Sequence, residues 1–154
     1  MLKKALITGL CIGIFAASPL GAAAVSVLVI ETGLSDKTPT SQYSTLWENG
    51  LMEVFFESGH IVSNAPMMRL GERPGNDFPS EAERDYANAT NGGMDYFVVA
   101  IVEHPGYNVS LRLFSTQSRM MIREQWYTGR RPNGTKEEYE NIKRVIRVLV
   151  AQIM

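Results

Sequence analysis

The sequence predicts a single three-layer α/β domain with a five-stranded mixed sheet between helices, and three features carry that prediction. The first is the stretch from Asp95 to His104, apolar from Tyr96 to Val102 and rich in β-branched and aromatic residues. Gly92-Gly93 and Pro105-Gly106 bound it as a strand. The second is Val25 to Glu31, a shorter run of the same kind. The third is a pair of segments, Tyr43 to Phe55 and Tyr139 to Ile153, whose apolar residues recur at steps of three and four and so draw one apolar stripe down a helix. A strand apolar on both faces needs cover on both. The two strands therefore belong side by side at the sheet centre, with helices above and below.

Taken in order, the first strand ends in a polar loop from Thr32 to Pro39, after which Thr40 or Ser41 can cap the first helix with a side-chain oxygen. Gly59 stops that helix. His60 to Asn64 is a short strand whose brevity suggests a sheet edge, with His60 itself a surface or capping residue. Pro66 to Pro79, rich in Pro, Gly and charge, reads as the longest irregular stretch, with at most one turn at Met67 to Leu70. Ser80 is placed to cap a second helix carrying Ala82, Tyr86 and Ala89, with Glu83 in capping-box position and Gly92-Gly93 as its stop.

Beyond the central strand, Val109, Leu111 and Leu113 alternate with Ser110 and Arg112, the pattern of an antiparallel strand with one wet face. A last strand runs from Arg119 to Thr128, half solvated around Arg123-Glu124-Gln125. Thr135 to Glu138 forms a capping box for the final helix. Its acidic start (Glu137, Glu138, Glu140) and basic continuation (Lys143, Arg144, Arg147) suit the helix dipole. The order is β-α-β-α-β-β-β-α. Right-handed crossovers then give a sheet ordered 2-1-3-4-5, three parallel strands followed by two antiparallel ones, with the first two helices on opposite faces.

The 154 residues suit one domain, and a net charge of -1 without basic clustering argues against nucleic-acid binding. Met1-Leu2-Lys3-Lys4, the apolar run to Ala17 and the small residues Gly21 to Ala24 have the layout of a secretory signal peptide. This reading assigns residues 1–24 to the signal and 25–154 to the domain, with the exported chain starting between Ala23 and Ser26. The product is then periplasmic or secreted, with no stable membrane insertion; the alternative is an uncleaved membrane anchor, against which the apolar run is short for a span. Cys11, the only cysteine, lies within the signal, so the exported chain has no disulfide, cysteine metal cluster or cysteine nucleophile.

Several segments carry a resemblance: Val27 to Glu31, Tyr43 to Gly59, Gly93-Met94-Asp95-Tyr96-Phe97-Val98-Val99-Ala100, and Asn108 to Thr128. Together with the element order they resemble a superfamily of bacterial envelope α/β domains that includes the amino-terminal domain of TolB, CsgG, LpoB and FlgO. Their members share a short apolar strand ending in Glu, an amphipathic helix ending in Gly, a Gly-Ala-Asp-Tyr-type central strand and two hairpin strands. The resemblance implies a non-enzymatic periplasmic scaffold or adaptor, without cofactor, that binds another envelope protein or itself. Two departures stand out. Leu10 precedes Cys11 where a lipoprotein needs a small residue, and TolB's propeller has no counterpart here.

Two candidate sites follow. Glu31 and Thr32 end the first strand beside Glu103 and His104 at the end of the central one, in the crevice where open α/β sheets bind ligands. A His among carboxylates can act as base or metal ligand, which keeps a small-ligand or metal-dependent activity as the alternative function. No nucleophile, metal-ligand spacing or phosphate loop accompanies them. The second site is the free edge formed by the last strand. With Ile122 and Trp126 turned inward beneath the final helix, the period of two puts Met121 and Tyr127 on the opposite face. These two, with Arg130 and Arg131 just beyond, are the expected protein contacts.

Overall fold

The computed structural model describes residues 21–75, 78–129 and 136–153. The chain runs β1 (Ala24–Thr32), α1 (Gln42–Glu57), β2 (Ile61–Asn64), β3 (Met68–Leu70), a 3-10 turn (Ser80–Ala82) and α2 (Glu83–Asn91). It continues through β4 (Tyr96–Glu103), β5 (Asn108–Ser115) and β6 (Met121–Tyr127) to α3 (Lys136–Val150). The signal segment through residue 20, Arg130, Arg131 and the Thr135 cap lie outside the described residues.

The strand order β2-β1-β4-β5-β6 is the expected 2-1-3-4-5. β1 pairs in parallel with β2 and β4, and β5 and β6 follow as antiparallel neighbours. A sixth strand, β3, occupies the stretch expected to be irregular: Met68, Arg69 and Leu70 pair in parallel with Ile30, Glu31 and Thr32. It continues along the side of β1 that β2 begins to cover. The two pieces are separated at Ala65-Pro66-Met67, where Pro66 has no N–H to give the ladder.

Alternation along the strands sorts the core into two layers. Val98, Ala100 and Val102 of β4 join Trp47, Leu51 and Phe55 of α1 and Ile142, Ile146 and Leu149 of α3 on one face. Phe97, Val99 and Ile101 join Ala82, Tyr86 and Ala89 on the other. All six β4 residues are fully buried, as two-sided cover requires. At Gly50 a methyl group would stand 3.0 Å from Ile142 Cγ2 and 3.1 Å from Ile146 Cδ1, so the bare backbone sets how closely α1 and α3 cross.

Helix ends agree with the sequence in α1 and differ in α2. The Ser41 hydroxyl accepts the Tyr43 amide at 3.2 Å, and Gly59 follows the helix with φ +84°. There the amides of Gly59 and His60 close on the Phe56 and Phe55 carbonyls. Ser80 instead opens the 3-10 turn, and α2 starts at Glu83 with no side-chain cap. His60 is buried rather than exposed, its Nδ1 accepting the Ala23 amide at 3.2 Å. The expected wet face of β5 is also covered: Ser110 and Arg112 are 0% exposed. The segment around Gly75, which no periodicity marked as a covering element, lies against it.

Candidate functional site

At the carboxyl ends of β1 and β4 the predicted crevice residues do meet in sequence register, Thr32 opposite Glu103, yet they serve different faces of the sheet. Glu31 points toward the start of α1, where one carboxylate oxygen accepts the Ser41 amide at 2.8 Å and the other takes Arg69 at 2.6 Å. The same Arg69 donates to the carbonyls of Ser35 and Thr38, tying β3, the 33–40 loop and the cap of α1 into one unit. Burial alone would raise the pKa of Glu31. The hydrogen bonds from Arg69, Ser44 and Ser41 outweigh it and hold the group below the ordinary carboxylate range. Glu103 instead pairs with Arg73, 3.1 Å away, on the α2 side.

His104 lies 3.4 Å from the Ser44 hydroxyl and edge-on to Tyr107. Burial lowers its pKa, against the pull of the Glu31 charge and with the help of Arg69, which favours the neutral ring. Thr32 is buried, its hydroxyl reaching the Val102 carbonyl at 3.5 Å. Gly33, with φ +76°, packs so closely on the His104 backbone that any Cβ would overlap the His104 carbonyl. Both acids are held by arginines, and among the described residues no group of three His, Cys, Asp or Glu side chains could hold a metal ion. Through Glu31, Arg69 and Gly33 this end of the sheet fastens its loops.

Sequence reasoning missed the arginines. On the α2 side, Arg112 Nε donates to Glu124 Oε1 at 3.0 Å, the Ser110 hydroxyl to the same oxygen at 2.8 Å, and another Arg112 nitrogen to the Gly75 carbonyl at 2.6 Å. Burial opposes ionisation of Glu124, but Ser110 and Arg112 overcome it and lower its pKa. Arg73 sits 3.9 Å above the Trp126 ring and reaches toward both Glu103 and Glu124. The available signal was a pair of opposed charges, Arg112 and Glu124, at facing positions of adjacent strands.

β6 pairs with β5, and among the described residues no strand pairs with its other side. The sidedness expected for it is corrected by its register. Val109 faces Tyr127 across the ladder, so Tyr127 lies on the α1/α3 side, its ring edge against Trp47 at 5.4 Å. Ser110 faces Trp126, which puts Trp126 on the α2 side rather than beneath the final helix. Leu113 pairs with Arg123 and Phe114 with Met121, leaving Ile122 as the extra residue of a bulge. The bulge shifts the alternation by one, so Met121 shares a face with Trp126 and not with Tyr127. Met120 (68% exposed) and Trp126 (49%) make this an apolar margin together with Met121 and Ile122.

Fold and margin together define a three-layer α/β sheet domain with a strand edge left open among the described residues. No family model matches the sequence, and no curated protein matches it. Among solved structures the chain is similar to PelC from Paraburkholderia phytofirmans, a dodecamer, with a TM-score of 0.52 and 14% identity over 86% of this chain and 87% of that one. It is similar to lipoprotein GNA1162 from Neisseria meningitidis, with a TM-score of 0.50 and 14% identity over 85% and 97%. The LpoB C-terminal domain from Salmonella enterica matches more loosely, with a TM-score of 0.40 and 13% identity over 72% and 86%. At such identities the likeness is one of fold. Among the described residues no helix is long and apolar enough to cross a membrane.

Proposed function

We propose that this protein is a non-enzymatic periplasmic adaptor or scaffold that takes another envelope protein, or a second copy of itself, onto the edge of β6. The observation that carries the reading is the combination at β6 of an unpaired strand side with Met121, Ile122 and Trp126 exposed beside it. Unpaired N–H and C=O groups offer a ladder to an added strand, while Trp and Met are residue types that anchor interfaces. The fold shared with PelC, itself a dodecamer, supports the same reading. Arg130 and Arg131, which follow in the sequence, are proposed to add positive charge to the contact.

The amino-terminal segment fits this location as an export signal. Ala23 and Ala24 are already engaged, the Ala23 carbonyl by Ile61 and the Ala24 amide by Asp95 at 2.8 Å. These contacts favour cleavage at the amino-terminal limit of the 23–26 window, which amino-terminal sequencing of exported protein reads directly. The binding site is tested by placing a photo-crosslinking residue at Met121 in cells and, as control, at exposed Glu57 on α1. Adducts to a defined envelope protein or to a second copy from position 121, absent from position 57, are the expected result. Equal labelling from both positions would contradict the reading.

A further inference from the structure

Away from the β6 margin, a recess of 210 Å³ opens on the α2 side of the sheet, where β1, β2 and α2 meet. Asp85, in the first turn of α2, lines it and is only 7% exposed. Among the described residues its carboxylate accepts no hydrogen bond. Its ion pair is with the neighbouring Arg84 at 3.9 Å, a side chain that is 82% exposed and thus mostly solvated. The positive end of α2 offsets part of the cost of burying this charge. A carboxylate so shielded still lacks the donors that buried charges ordinarily have.

The rest of the wall supplies oxygen acceptors and apolar surface, with no Lys, Arg or His. The Ser63 hydroxyl has only the Met94 sulfur, 3.9 Å away, and is free to turn. Asn64 shares the face of Val27 and turns its side chain toward Glu48 of α1, so its amide oxygen is not one of the acceptors of the recess. Ser26 and Asn88 complete the polar side. One carboxylate is too few for a divalent cation, which wants a fuller shell of oxygen ligands. A quaternary ammonium would want aromatic walls, and none line the recess. A primary ammonium, with three donors, matches one carboxylate and a ring of neutral oxygens.

We propose that this recess binds a primary ammonium group on a short alkyl stem, with Asp85 as counter-ion. The Ser26 and Ser63 hydroxyls and the Asn88 amide oxygen take its remaining protons, and Met94 lies along the stem. The group can come from a free amine or from a lysine side chain of another protein, and the chemistry is the same. A ligand of so few atoms binds with a dissociation constant of about 1–10 mM.

The test is an amide-resonance titration of ¹⁵N-labelled protein with n-butylammonium chloride at constant ionic strength, with butan-1-ol and tetramethylammonium as controls. Saturable shifts at Ser63, Asp85 and Asn88, produced by the amine alone and lost in Asp85→Asn, are expected. Asn88→Lys places an ammonium one turn from Asp85 and should abolish the response as well. This variant keeps the test decisive if Asp85→Asn folds poorly. Nα-acetyl-lysine amide separates the sources: tighter binding than butylammonium points to a protein lysine, weaker binding to a free amine. No saturable shift up to about 50 mM, or equal shifts in Asp85→Asn or with butanol, would overturn the proposal.

Discussion

On the side of the sheet beneath α1 and α3, Val109, Leu111 and Leu113 of β5 close against an apolar layer that includes Trp47, Leu51 and Ile146. On the opposite side the same strand presents Ser110, Arg112 and Phe114. These are buried as completely, but by an ion pair to Glu124, the Gly75 carbonyl and the ring of Phe78. The difference teaches that alternation tells which residues share a face and leaves open what covers it. A regular helix covers the first face. A non-periodic segment covers much of the second, with Arg73, the Gly75 carbonyl and the Phe78 ring.

Leu111→Ala tests the dry side and carries the largest expected effect. Removing a fully buried leucine should cost about 2–5 kcal/mol in denaturant unfolding, the range for lost methyl groups plus a residual cavity. Arg112→Met tests the polar side. It leaves Glu124 without its main partner, yet that carboxylate keeps Ser110 and some solvent, so the loss should be smaller, about 1–3 kcal/mol. Adding Glu124→Gln to Arg112→Met should restore part of the stability. If the double variant is worse than the sum of the two single changes, the pair is not what closes this face.

Glu31→Gln sharpens the comparison through pH. The folded-state pKa of Glu31 lies below the ordinary glutamate value of 4.5, so its contribution is fully present above that value and disappears as pH falls through the lowered one. The variant should therefore be less stable than the parent at pH 7, by about 1–3 kcal/mol. The gap should narrow once the pH drops below 4.5. A gap independent of pH would show that the Arg69 and Ser41 contacts are not charge-assisted. His104→Ala should change the least, under about 1 kcal/mol, because its hydrogen bond to Ser44 is long.

β4 was legible in full, because an unbroken apolar run between glycines and a proline admits only a central strand; α1 was legible down to the Ser41 cap and the Gly59 stop. The crevice residues were correctly placed at adjacent strand ends. Their roles were not legible, because Arg69 and Arg73 come from a stretch whose prolines and glycines gave no pattern to extrapolate. β3 is a three-residue strand recognised only through its pairing with β1. The sidedness of β6 failed twice: the bulge at Ile122 breaks the period of two, which parts Met121 from Tyr127, and alternation alone does not say which of its two sets lies beneath the final helix, so Trp126 was put on the wrong face.

The proposed role of the β6 margin is tested most directly by replacing Met121 and Trp126 together with Ser, followed by sedimentation and thermal unfolding of the variant. The account predicts that capture of the crosslinked partner, or self-association, is lost while the thermal midpoint stays within a few degrees of the parent, since both side chains lie at the surface. Association retained at full strength, or a collapse of the thermal midpoint, would contradict it and make these residues part of the core.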